Sequence, residues 1–211
     1  MQDNAIETIE HEGLKVKIYQ DMDAESPASW GDDNLFLVHY HRDFWQEKKE
    51  VLVEDDLRDI YQGNKTDAVK ELRRKYHIFP VSAYIHSGVS LSLASGFDCD
   101  AQGWDTSHVG AFFVAKEEFK TKKQAEDCAE GMIETWNQYL SGDVYGYVVE
   151  DEKGEHLDSC WRFYGIEQAR EEGLSMAKWH AGERLKKHLS KVKAMIQNHV
   201  PLERRAEEMA I

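Results

Sequence analysis

Between Thr121 and Leu140 the apolar residues keep to one face of a helix: Ala125, Cys128, Ala129, Met132, Ile133, Trp136, Tyr139 and Leu140 recur at three- and four-residue spacing. No other regular element has that period, and the opposite face is charged, so this helix must lie on an apolar partner. Ser141-Gly142 ends it. The partners are segments of strand character. Leu14 to Tyr19 alternates apolar and polar residues with period two, and Asn34 to His41 gives a second strand. Val81 to Leu93 reads as one long central strand, and a loop from Ala94 to His108 joins it to a compact apolar strand, Val109 to Val114. Val144 to Glu150 and Glu155 to Phe163 form a hairpin turning at Lys153-Gly154. Thr66 is the N-cap of a short helix through Tyr76, with Pro80 as punctuation after it.

From Ile166 to about His199 runs a long terminal helix with a narrow apolar seam of Ala181, Leu185, Leu189, Val192 and Ile196. Gly173 and Gly182 weaken its middle and mark where it can break. The predicted fold class is therefore α+β: a mainly antiparallel sheet flanked by helices, with a long C-terminal helix. Residues 1–165 are expected to form one domain with an acidic N-terminal part, and residues 166–211 a helical arm packed on that domain or on a partner.

Charge narrows the function. The chain of 211 residues has 40 acidic and 26 basic residues, a net charge of −14. Sixteen acidic against six basic residues lie in the first 60, whereas residues 166–211 hold seven against nine. A field of this sign repels nucleic acid and membrane phosphates and attracts cations or basic protein surfaces, so neither direct nucleic-acid nor membrane binding is expected. No apolar run reaches the roughly 18 residues of a membrane span, and the first residues lack the pattern of a signal peptide, so a cytoplasmic location is expected. Cys99, Cys128 and Cys160 make no Cys-x-x-Cys pair, which argues against a disulfide framework; Cys128 reads as a small core residue.

Asp32, Asp33, Asp55, Asp56 and Asp59 are the candidate partner-binding surface, with Trp30 and Trp45 as apolar anchors. The plain alternative is solvated loop and helix charge. Asp98, Asp100, Asp105 and His108 are the best candidates for a ligand or metal, since three carboxylates and an imidazole share a glycine-hinged loop. Their spacing matches no standard site, and the same carboxylates can cap turns instead. His39, His41 and His86 are a weaker metal set, on two predicted strands. No nucleophile elbow surrounds Ser87, Ser90 or Ser92, and no cofactor motif is present, so the reading leans away from an enzyme and assigns neither catalytic residues nor a cofactor. Leu185, Leu189, Val192 and Ile196 form the seam for packing or for a homodimer through the C-terminal helix.

Three segments, Gly96-Phe97-Asp98-Cys99-Asp100 with Trp104 to Gly110, Trp136 to Tyr147, and Asp158-Ser159-Cys160-Trp161 with Phe163-Tyr164-Gly165, carry a resemblance. In this order they resemble a largely uncharacterised family of proteins carried by bacteriophages, plasmids and integrated elements, over roughly residues 80 to 165. Arg162 stands where that pattern has glycine, a departure that bears on the tightness of the turn. The resemblance implies a mobile-element accessory protein in a bacterial host. Its concrete form is an anti-CRISPR or antirestriction inhibitor, a nucleic-acid mimic that binds a basic host nuclease or nucleic-acid-binding protein. The alternative is a metal-dependent enzyme or small-ligand protein using the loop from Asp98 to His108.

Overall fold

The computed structural model describes residues 4–41, 54–93, 96–199 and 204. Among the described residues, eight strands form two four-stranded antiparallel sheets, which with four helices give an α+β fold. Among the described residues no helix is long and apolar enough to cross a membrane. The chain divides into two units, one of residues 22–144 and one made of residues 1–21 with 145–211. This differs from the expected division at residue 165. The second unit is discontinuous because β2 (Leu14–Gln20) pairs with β7 (Val144–Glu150), from Lys15 opposite Glu150 to Gln20 opposite Tyr145. Local patterning carries no signal for a pairing across more than 120 residues.

In the unit of residues 22–144 the strands are β3 (Leu35–His39), β4 (Tyr76–Ile85), β5 (Val89–Ser92) and β6 (Thr106–Ala115), in the order β3-β6-β4-β5. The apolar run Val109 to Val114 is continuous because helices cover both faces of its strand. Phe112 and Val114 meet Ala125, Ala129, Ile133 and Trp136 of α3 (Lys122–Ser141). Phe113 and Ala111 point the other way, toward Leu57 and Ile60 of α1 (Glu54–Gln62) and Val69 of α2 (Asp67–Lys75). Phe112 and Phe113 are both 0% exposed, and burial of each contributes about 2 kcal/mol. Thr121 caps α3 by accepting the Gln124 N–H at 3.3 Å, and Gly142, at φ 74°, closes it in the left-handed region.

The segment from Val81 to Leu93 is a hairpin rather than one central strand. It bends at His86-Ser87-Gly88, leaving β4 inside the sheet and the four residues of β5 at its edge. Pro80 does not follow a helix as punctuation but lies within β4, opposite Ala111. Strand β5 pairs with β4 only from Ser82 to Ile85, so among the described residues no strand on that side requires the N–H that Pro80 lacks.

The other unit has the order β1-β2-β7-β8, with β1 spanning Glu7–His11 and β8 spanning His156–Tyr164. Strand β1 has no counterpart in the sequence reading. It joins β2 through Glu12 and Gly13, whose φ values of 49° and 75° are both left-handed, as a two-residue hairpin turn requires. Helix α4 (Ile166–His199) is unbroken. Its Ala169, Gly173, Ala177 and Ala181 are buried against Leu14, Val16, Ile18, Tyr147 and Val149. A Cβ on Gly173 would lie 2.6 Å from Val16 Cγ1, so this glycine marks close approach of helix and sheet, not a break. Buried packing ends at Ala181: Leu185 is 58% and Leu189 43% exposed, and Val192 and Ile196 are half-buried. The apolar seam thus continues past the helix stripe that rests on the sheet.

Trp161 and Phe163, two residues apart in β8, do not behave as neighbours on one face. The Trp161 ring lies over Gly146, where a Cβ would come within 2.3 Å of it, while Phe163 packs in the helix-side cluster with Tyr147. A regular strand puts residues i and i+2 on the same side. Arg162 between them has φ 71°, a left-handed conformation that breaks the alternation at this residue.

Candidate binding surfaces

The five predicted surface aspartates fall in two places. Asp32 and Asp33 are exposed in the loop between a 3-10 turn (Pro27–Trp30) and β3, and one Asp32 carboxylate oxygen accepts the Asn34 N–H at 2.7 Å. Asp32 and Trp30 line an apolar cavity of about 250 Å³ whose wall includes Phe36, Phe112, Met132 and Trp136. Trp30 is 45% exposed. Asp32 also lies near Cys128, and burial with that negative charge holds the half-buried thiol above its ordinary pKa. Asp55, Asp56 and Asp59 sit on α1, on the opposite face of the sheet from α3. Asp55 pairs with Arg58 at 3.2 Å, and Asp59 accepts from Asn64 Nδ2 at 2.8 Å, which fastens the turn after the helix. Trp45 lies outside the described residues.

The loop candidates separate rather than converge. Asp100 accepts the N–H groups of Trp104 at 3.0 Å and Asp105 at 2.9 Å, and the Thr106 hydroxyl at 2.8 Å. The hydrogen bond from Thr106, with those from the backbone, holds its carboxyl below the usual range. Asp105 instead faces His86, whose Nδ1 lies 3.2 Å away, and Asp98 is exposed. His108 turns toward α1, stacking on Tyr61 at 4.4 Å between ring centroids, with its Nδ1 3.0 Å from Ser82 Oγ. Tyr61 donates its hydroxyl to the Gly110 carbonyl, and burial pushes its pKa well up. Among the described residues no group of three or more His, Cys, Asp or Glu side chains stands together as a metal site; His39 is buried with its ring edge toward Trp136, apart from His86. The loop is therefore organised by Asp100 as a turn-former.

A cleft of about 690 Å³ lies between β5 and the C-terminal half of α3, and the sequence reading did not anticipate it. Leu91 and Ile133 are buried residues of its lining, and among the described residues Glu130, Glu134 and Asp143 are the charged ones that line it. Among the described residues none of these three carboxylates makes an ion pair. Asn137 crosses from α3 to β5 and binds both peptide groups of Leu91. The available signal was a polar Asn beside Ile133, Trp136 and Leu140 on the buried side of the helix, with Glu130 and Glu134 one turn apart on its flank.

Comparison with family models, with curated proteins and with solved structures finds no match. The residues themselves therefore carry the functional argument.

Proposed function

We propose that this chain is a non-enzymatic accessory protein of a bacterial mobile element that binds a basic, nucleic-acid-handling host protein and inhibits it, as an anti-CRISPR or antirestriction protein does. The observation that carries the reading is the placement of charge: residues 22–144 hold 23 acidic against 13 basic residues. Carboxylates at phosphate-like positions pair with Arg and Lys, and the net field accelerates the encounter with a positively charged channel. The same field opposes direct binding to a duplex. Trp30 beside Asp32 adds an aromatic anchor next to charge, a combination suited to a protein interface. The dispersal of Asp98, Asp100, Asp105 and His108 gives the alternative loop-centred enzyme no comparable support.

The test is DNA cleavage by a panel of purified RNA-guided nucleases and restriction enzymes, with and without this protein. Inhibition of one of them by the wild type, lost on reversing Asp32, Asp33, Asp55 and Asp56 to Lys in a variant that keeps its fold, is the expected result. Inhibition unchanged by the reversal, or none across the panel, would overturn the reading.

A further inference from the structure

Helix α4 changes its side chains where its surroundings change. Up to Ala181 its buried stripe is Ala169, Gly173, Ala177 and Ala181, residues small enough for the helix to lie directly on the sheet. Past Ala181 the stripe turns bulky, with Leu185, Leu189, Val192 and Ile196 at successive spacings of four, three and four residues. That is the alternation of a and d positions in a heptad, and it runs along residues 182–199, about 27 Å of helix at 1.5 Å per residue. None of the four side chains joins the apolar clusters of the two sheets, and Leu185, Leu189 and the neighbouring Met195 are exposed.

The borders of this seam select what covers it. Residues 182–199 hold five cations, Arg184, Lys186, Lys187, Lys191 and Lys193, against the single acid Glu183. By helical period Lys186 and Lys193 follow the seam on one side and Arg184 and Lys191 on the other, while Glu183 falls toward the back of the helix, where it pairs with Lys186 at 2.8 Å. A second copy is a poor cover: an antiparallel one sets Lys186 against Lys193, a parallel one sets Lys193 beside His188, and neither supplies an acid. A stripe confined to a and d positions, with Met195 on one border, fits a single helix; a helix lying in a lipid surface needs a wider apolar face. The net charge of −14 also opposes anionic membranes and nucleic acid.

We propose that residues 185–196 of α4 dock an acidic amphipathic helix of a protein partner, which sets Leu or Ile on the seam and Asp or Glu against the flanking Lys and Arg. The pair is a short two-stranded coiled coil. Burial of Leu185, Leu189, Val192 and Ile196 supplies affinity, and the like charge that disfavours a second copy selects the acidic helix. This surface is opposite in charge to the one argued for residues 22–144 and calls for a partner element of opposite chemistry, so it stands independently of the inhibitor reading.

The probe is a peptide of about three heptads with Ile at a, Leu at d and Glu at e and g, titrated into the full chain. A peptide with Lys in place of each Glu, and vesicles of anionic phospholipid, are the comparisons. The Glu peptide is expected to bind saturably, gain helicity, and shift the methyl NMR signals of Leu185, Leu189, Val192 and Ile196, while the Lys peptide and the vesicles do not bind. Affinity should fall by roughly tenfold or more in Leu189→Asn, Val192→Asn, which removes apolar contact and leaves the charge, and in Lys186→Glu, Lys193→Glu, which reverses one border and leaves the seam. Lys186→Gln, Lys193→Gln replaces the second variant should the reversal unwind the helix, and should weaken binding in the same direction. The wild type alone should sediment as a monomer. No saturable binding, equal binding of the Lys peptide, binding indifferent to the seam or to its border, self-association lost in the seam variant, or adsorption to the vesicles in preference to the peptide would overturn the proposal. Nuclease inhibition has no bearing on any of these outcomes, so the two claims fail separately.

Discussion

The two sheets have the same number of strands and the same antiparallel pairing, yet each meets its helix differently. In residues 22–144 the interface is filled by bulk, with Trp136 and Ile133 of α3 against Phe112, Phe79 and Val81. In the unit of residues 1–21 and 145–211 it is closed by the absence of bulk, with Ala169, Gly173, Ala177 and Ala181 bringing α4 down onto Val16 and Tyr147. A filled interface tolerates repacking, whereas one made by close approach depends on atoms that must not be there. Charge separates the units as well, since the bulk-filled one holds ten of the fourteen net negative charges.

The largest effect should break this contrast from the other side, at a glycine of the bulk-filled unit. A Cβ on Gly110 would stand 2.3 Å from the Val38 carbonyl oxygen, and backbone in the middle of a sheet cannot yield. Gly110→Ala is expected to cost about 3 kcal/mol, seen as amide protection lost within residues 22–144. Gly146→Ala meets the Trp161 ring at a similar distance and the Cys160 carbonyl oxygen at 2.9 Å; the ring is 44% exposed and can swing away, and the backbone contact is looser than that at Gly110, so about 2 kcal/mol is expected. Equal losses at the two sites would show that the strand backbone is more pliant than this account holds.

Gly173 and Gly182 sharpen the comparison along a single helix. Gly173→Ala drives a methyl into Val16 and Tyr147 and should cost about 1 to 2 kcal/mol, whereas Gly182→Ala meets nothing and should stabilise by about 0.5 to 1 kcal/mol through helix propensity. Thermal melts of the two variants should move in opposite directions. Smallest is Arg162→Gly, which relieves a left-handed φ of 71° and should stabilise by about 1 kcal/mol or less. A melting temperature that falls instead would mean that the arginine side chain holds more than its backbone conformation loses.

Elements with a local period were legible in the sequence: α3 with its Thr121 and Gly142 caps, α2 behind Thr66, β2, and the hairpin at Lys153-Gly154. What was not legible depended on distant partners. Gly173 reads as a helix weakener until Val16, more than 150 residues away, is seen beneath it. Val81 to Leu93 has one continuous strand pattern, because the bend at Gly88 leaves the alternation of Val89, Leu91 and Leu93 intact. Of the candidate site, Asp32 and Trp30 were found as residues, but the cavity that joins them is built by Phe112 and Trp136 from other elements. For Asp100 the sequence left ligand and turn cap both open, because it shows carboxylates and not the amides they cap; the structure shows the cap.

The most direct test of the central claim, that placed carboxylates recruit a basic partner, is the association rate with an inhibited nuclease across a salt series, for the wild type and the Asp32, Asp33, Asp55, Asp56 reversal. The account predicts a wild-type rate that falls steeply with salt and a slow, nearly flat rate for the reversal. Rates that coincide at every salt concentration would contradict it.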